Sequence, residues 1–265
     1  MDASTPSPDV GGADATATGA CGPSAAAPGT VLQLRASGGD PYAYFASKNL
    51  MPIDGPSSGY ITDTGCSFKF VLHQNGAEET VSSGAQRQRN ELTVNPGNPA
   101  MYKGTQGTTM SYTWRFRLDV MNADPTWCDI FQLKPHGALG VAPYLALQAN
   151  KGQLQIEHFR AGDVRMVPLA SIMGVWINVR FQVKLTDPGA MSISLTRDDG
   201  SMVMSYESDS IDMWEASTDF VRPKWGLYRN KRDGAGEAAI EYDDMTIIRG
   251  PLGPPPTRPA CACAK

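Results

Sequence analysis

"SYTWRFRLDV", residues 111–120, decides the fold. Tyr112, Trp114, Phe116 and Leu118 alternate with Thr113, Arg115, Arg117 and Asp119. That period of two belongs to a β-strand with one buried and one wet face. A helix would need its apolar residues three and four apart. "INVRFQVKL" (177–185) repeats the pattern, setting Val179, Phe181, Val183 and Leu185 against Asn178, Arg180, Gln182 and Lys184. "YLALQ", "QLQIEHF", "MSISL" and "EYDDMTII" read as further strands, and the turn signals "NPGNP", "ANKGQ", "TDPGA" and "RDDGS" separate such segments. Helical periodicity is scarce. "PLASIM" (168–173) predicts one short helix and "SIDMWEAS" one turn.

Many antiparallel strands without a repeat or an internal linker predict one all-β domain over residues 31–249. Its expected form is a two-sheet antiparallel β-sandwich of the jelly-roll, concanavalin A-like kind with few short helices. Residues 1–30, rich in Ala, Gly, Pro, Ser and Thr, read as a disordered leader or linker. Residues 250–265 read as a Pro- and Cys-containing tail. The 265 residues include 20 Pro and 27 Gly, which favours turns over long helices.

The net charge of −4 argues against a general nucleic-acid binder, so any attraction to anions must come from a local cluster. No run of about 20 apolar residues exists, and no membrane span is expected. The five cysteines show no metal-ligand spacing. A Cys21–Cys66 disulfide and unpaired thiols both fit their positions. Secretion is expected, with the export signal absent from this chain.

Four segments carry more polar chemistry than packing requires. In "RPKWGLY" (222–228), Trp225 and Leu227 share one face and Lys224 and Tyr228 the other. "QRQRNEL" (86–92) sets Arg87, Arg89 and Glu91 together, and strict alternation points Asn90 away. "DIFQLKPHG" places Gln132 and Lys134 opposite Phe131 and Leu133, and "LHQNG" supplies His73 where a strand meets a turn. Singly, each has a plain structural use: a solvated ion pair, a wet strand face, a loop histidine. Together, cations, an amide, a phenol and an imidazole from separate strands could line one groove suited to a carboxylated ligand. No HExxH, GxSxG or P-loop pattern occurs, which leaves zinc proteolysis, serine hydrolysis and nucleotide use without support.

"QRNEL", "FQLK" and "KWGLY", in this order, resemble the three cleft strands of the jelly-roll polysaccharide lyases. Those strands read R-[ST]-E-L, Q-[IV]-H and Y-F-K-x-G-x-Y in alginate lyases. Here Lys134 stands where that pattern has His, and Arg222 where it has the first Tyr. The spacing of Lys224 and Tyr228 is also similar to that of heparin lyase I relatives, and the overall pattern is most similar to glucuronan lyases of polysaccharide lyase family 20.

The resemblance implies a secreted, monomeric enzyme that cleaves an anionic polysaccharide, β-1,4-glucuronan foremost, by β-elimination at a uronate, with alginate or another polyuronate as alternatives. It implies Arg89 and Gln132 as the groups that neutralise the uronate carboxylate, helped by Asn90, with Glu91 orienting Arg89. Tyr228 becomes the acid and a candidate base beside Lys224, with His73 the alternative base; Lys134 and Arg87 join the substrate-binding set. The chemistry itself requires no cofactor. A structural Ca2+ at Asp243 and Asp244 follows from the likeness of "YDDM" to acidic pairs in other jelly rolls. Two rivals stay open: a carbohydrate-binding module or lectin, and a sandwich hydrolase, which would need two carboxylates about 5–9 Å apart.

Overall fold

The computed structural model describes residues 26–53, 59–74, 79–80, 86–121, 127–137, 142–230 and 236–254. In chain order the first strands are β1 (Thr30–Leu34), β2 (Met51–Ile53), β3 (Ile61–Asp63), β4 (Phe68–Leu72), β5 (Glu79–Thr80) and β6 (Gln86–Thr93). Next come β7 (Thr109–Met121), β8 (Cys128–His136), β9 (Leu145–Asn150), β10 (Gln153–His158) and β11 (Gly162–Pro168). The last are β12 (Ile177–Lys184), β13 (Gly189–Arg197), β14 (Met202–Ile211), β15 (Phe220–Asn230) and β16 (Ala238–Arg249).

These strands make two eight-stranded antiparallel sheets, as the alternation predicts. The first runs β14-β13-β12-β7-β16-β4-β3, with β1 on β16; the second runs β11-β10-β9-β8-β15-β6-β2, with β5 on β6. The apolar faces of β7 and β12 turn inward, and Trp114 of the first sheet stacks on Phe131 of the second at 4.3 Å between ring centroids. Trp114 also meets Trp225 edge-on at 6.4 Å, so the expected core face of "RPKWGLY" is in place. Both tryptophans are fully buried, and each such aromatic contributes contact energy beyond its area alone.

One buried polar strut crosses this core. The Tyr242 hydroxyl of β16 donates to the Ile130 carbonyl of β8 and lies 3.1 Å from the Gly226 carbonyl of β15. Its two contacts sit where pairing between β15 and β8 slips, between Trp225 and Tyr228. Gly226 is required there. Its φ is +138°, and a Cβ would come within 2.1 Å of the Asn90 carbonyl oxygen.

The helix expectations are corrected. "PLASIM" forms only a 3-10 turn over Leu169–Ser171, and "SIDMWEAS" splits between the end of β14 and an irregular segment. The α-helix among the described residues is α1 (Pro41–Ser47), which Asp40 caps by accepting from the Tyr42 amide. Asp followed by Pro is a start signal, but seven residues give too few turns for a period to show. At the other end, residues 250–254 do not simply trail away. Ser111 binds the Gly250 carbonyl at 2.7 Å, and the Leu252 amide donates to Gln182 at 2.7 Å.

Cys66 is disulfide-bonded; Cys21, its expected partner, and the tail cysteines lie outside the described residues, as does most of the leader. Among the described residues, no helix is long and apolar enough to cross a membrane.

Candidate active site

Strand register brings most of the expected residues to one outward face of the second sheet. On β6 and β15, Arg89 lies opposite Tyr228, Glu91 opposite Gly226, and Arg87 opposite Asn230. On β8, Gln132 lies opposite Lys224 and Lys134 opposite Arg222. Directly paired residues project to the same side. Arg87, Arg89, Glu91, Gln132, Lys134, Arg222, Lys224 and Tyr228 therefore share one surface, behind which Trp225, Leu227 and Phe131 fill the core.

Several polar groups on this surface are buried. Glu91 is 1%, Gln132 2% and Lys224 5% exposed. Glu91 is the hub: it accepts from Gln132 Nε2 at 2.8 Å and from Lys224 Nζ at 3.0 Å, and Arg89 Nε stands 3.1 Å from the same carboxylate. Two cations and one anion leave this cluster net positive. Arg87, Lys134 and Arg222 add further positive charge around it. Arg89 also lies over the Tyr228 ring at 4.2 Å from its centroid. Trp127 meets that ring edge-on at 5.1 Å and carries Arg87 on its own ring at 5.2 Å. The cation on the phenol ring is thus Arg89, while Lys224 is held by Glu91.

Burial and the Lys224 charge push the Lys134 ammonium down to about 8, against the opposing pull of Asp129 and Glu91. Burial pushes the Asp129 carboxyl up to about 8, despite a 2.8 Å hydrogen bond from Gln148. Asp129 is thus a largely neutral acid at neutral pH, directly opposite Tyr228.

A surface built around a buried carboxylate, with a phenol and five basic side chains on three strands, suits an anionic ligand. A family model described as "Polysaccharide lyase" matches residues 58–246, most of the chain. This protein belongs to the polysaccharide lyase family. No curated protein sequence matches it.

Solved structures similar to this lyase include an endo-β-1,4-glucuronan lyase from the fungus Trichoderma reesei. That pair has 16% identity and a TM-score of 0.53, covering 83% of this chain and 96% of that one. Alginate lyase A1-II′ of polysaccharide lyase family 7 is 18% identical, with a TM-score of 0.53 over 74% of this chain and 86% of that one. Alginate lyase Aly36B is 12% identical, with a TM-score of 0.56 over 86% of this chain and all of that one. At these identities the likeness shows a common fold.

Four of the expected residues of the lyase fall elsewhere. His73 directly follows β4 of the other sheet, where its Nδ1 is 3.4 Å from Glu237 and its ring meets Tyr60. Gln88 binds the His73 carbonyl at 2.9 Å from the face of β6 that Arg87 and Arg89 do not use. Asn90 is buried and donates to the carbonyls of Tyr60 at 2.7 Å and Val71 at 3.1 Å, so it ties the sheets together and cannot reach the trough.

Asp243 and Asp244 lie in the first sheet, and each is matched to an arginine. Arg115 is 2.8 Å from Asp243; Arg35 is 3.0 Å and Gln33 2.7 Å from Asp244. A cation site requires oxygen ligands without competing guanidinium groups, and this donor set does not fit Ca2+. Among the described residues, no group of three or more His, Cys, Asp or Glu could hold a metal ion.

The sequence reading missed the other half of the trough. Asp129, Gln148, Gln155, Glu157 and Asp163 continue the polar face across β8–β11. Gln148 Nε2 donates to Asp129 and at 3.0 Å to Glu157, and Gln155 donates to Gln148 at 3.1 Å and to Asp163 at 2.7 Å. Strict alternation assigns Asp129 to the core with Phe131. A register slip at Ile130 turns it instead to the Gln132 side. Gln148 was open to detection, since "LALQAN" puts it on the same face as Ala146 and Asn150.

Proposed function

We propose that this polysaccharide lyase acts outside the cell on a uronic-acid-containing polysaccharide, β-1,4-glucuronan foremost, by β-elimination that leaves 4,5-unsaturated uronate ends. One observation carries the reading. Arg89, Gln132, Lys224 and Tyr228 meet around the buried Glu91 carboxylate on one face of one sheet. The C5 proton of a uronate is barely acidic while its carboxylate stays charged, because its removal builds a dianionic enolate. The protein must first place positive charge and donors at that carboxylate. A cation about 4 Å away contributes roughly 4 kcal/mol at an effective dielectric constant of 20.

In this reading Arg89 and Gln132 hold the carboxylate. A Gln amide nitrogen carries two protons, one of which goes to Glu91. Glu91 fixes the directions of Arg89, Gln132 and Lys224 before substrate arrives, and Tyr228 donates a proton to the departing O4. Secretion is supported by the disulfide at Cys66, since such bonds persist in oxidising compartments. The alginate named for two of the similar structures makes that polymer the second substrate to try.

The test is a panel of glucuronan, alginate and other polyuronates, followed by the ultraviolet absorbance of the C4–C5 double bond. Growth of that band supports elimination. New reducing ends without the band would mean hydrolysis, and binding without either product would mean a carbohydrate-binding module.

A further inference from the structure

The positive charge of the trough stops at β8. Residues directly opposite one another on neighbouring strands project to the same side. One such row crosses the sheet from Arg89 to Tyr228, Asp129, Gln148, Gln155 and Met166. Arg87, Arg89, Lys134, Arg222 and Lys224 all lie on β6, β15 and β8. Among the described residues, β9, β10 and β11 present no Lys or Arg on this face. Arg165 of β11 turns toward the first sheet, where its Nε is 3.3 Å from the Ser205 carbonyl oxygen. Arg160, just past β10, is taken by Asp212 and Glu215, and Lys151 stands in the turn between β9 and β10.

Hydrogen bonding on this second half is one-sided. A Gln amide nitrogen carries two protons. Gln148 commits both to carboxyl groups, Asp129 at 2.8 Å and Glu157 at 3.0 Å. Gln155 commits both as well, to the Gln148 amide oxygen at 3.1 Å and to Asp163 at 2.7 Å. These two glutamines keep no amide proton for a ligand, and the carboxyl groups they hold offer mainly oxygen acceptors. Asp129, Gln148 and Gln155 are buried, while Glu157 is half-buried and Asp163 exposed. Burial raises the Asp129 carboxyl to about 8, and burial with the Asp163 charge raises that of Glu157 against the Gln148 hydrogen bond. Both groups therefore already resist more negative charge beside them.

A substrate carboxylate over β9 or β10 would meet like charge and no committed donor, an arrangement that rejects a ligand. A sugar hydroxyl brings its own proton and suits the acceptors. Strands stand about 4.8 Å apart, so Gln148 and Gln155 are two and three strands, roughly 10 and 14 Å, from Tyr228. Resting on the lyase reading above, we propose that β9 and β10 bind an uncharged, hydroxyl-bearing sugar of the same chain whose uronate sits at Arg89 and Gln132. The favoured substrate is then a mixed polysaccharide, with neutral sugars near the cleaved uronate, in preference to an unbroken polyuronate. Glucuronan brings the right uronate to the cationic half and the wrong neighbour to the acidic half.

The experiment compares each polyuronate of the panel before and after part of its carboxylates are reduced to hydroxymethyl groups. Linkage is unchanged, and glucuronan becomes a mixed chain of glucuronate and glucose. Unsaturated product gives kcat/KM per remaining uronate. The wild type should favour the mixed chain by roughly threefold or more, the scale of two partly exposed like charges. High salt should shrink that preference. Glu157→Gln/Asp163→Asn should gain on the unreduced polymer and lose the preference. Should that variant not fold, Glu157→Gln alone makes the same comparison, because its amide oxygen can still accept from Gln148.

Equal rates on the two forms, preference for the unreduced one, or a preference that the variant keeps would overturn the proposal and leave the lyase reading intact. Absence of unsaturated product from every polymer in either form would defeat the lyase reading and this proposal with it.

Discussion

Replacing Glu91 with Ala tests whether the trough is built around a buried ion cluster. Glu91 is 1% exposed and its partner Lys224 5%, and their charged atoms are 3.0 Å apart. Removing the carboxylate leaves the Lys224 ammonium buried beside Arg89 with no anion between them, and Gln132 loses its acceptor. Breaking one partner of a buried pair costs about 3–5 kcal/mol, a large part of a typical domain's total of roughly 5–15 kcal/mol.

Urea melts followed by tryptophan fluorescence read this directly, because Trp225 lies on the strand that carries Lys224. Lys224→Met should remove much of the strain, so the Glu91→Ala/Lys224→Met double variant should be more stable than the sum of the single losses by about 2 kcal/mol, within the range seen for coupled neighbours. A Glu91→Ala loss under about 1 kcal/mol, as for an exposed pair, with no coupling in the cycle, would refute the buried-cluster argument.

Three further outcomes are expected. Asp129→Asn should stabilise the fold at neutral pH. The folded carboxyl is raised from 3.8 to about 8, so its contribution is full below the unfolded value and is lost as pH rises through that window. At about 1.4 kcal/mol per unit, the gain approaches about 4 kcal/mol near pH 7 and levels off above pH 8; equal melting of the two proteins across that window would contradict it. Gly226→Ala should cost roughly 3 kcal/mol or more, from its φ and from the 2.1 Å approach to the Asn90 carbonyl. Thermal melts at wild-type stability would show that β15 is not fixed there. Excess EDTA should leave the melting midpoint unchanged, because Arg115 and Arg35 already serve Asp243 and Asp244; a lowered midpoint would show a structural cation.

Where a strand runs regularly, its alternation reads through to the fold. β7, β12 and β15 carry their apolar residues inward as the sequence indicates, and the regular pairing of β6 with β15 places Arg89, Glu91, Lys224 and Tyr228 together. Legibility fails where alternation is broken or where partners are distant in sequence. The slip at Ile130 moves Asp129 to the opposite face, an event no local pattern announces. His73 shares the polar character of the trough residues, yet β4 belongs to the other sheet, and sheet membership is a long-range property. Asp243 and Asp244 read as a calcium-binding pair because Arg115 and Arg35, their partners, lie 128 and 209 residues away. The seven-residue α1 escaped for a simpler reason, being too short to show a period.

The most direct measurement compares unsaturated-uronate formation by the wild type and Tyr228→Phe on the best polyuronate, with polymer binding measured alongside. Removing a proton donor that acts in the transition state should lower kcat by about 10²- to 10⁴-fold. Affinity should hold, because the phenyl ring can still lie under Arg89. Full elimination activity in Tyr228→Phe would contradict the account.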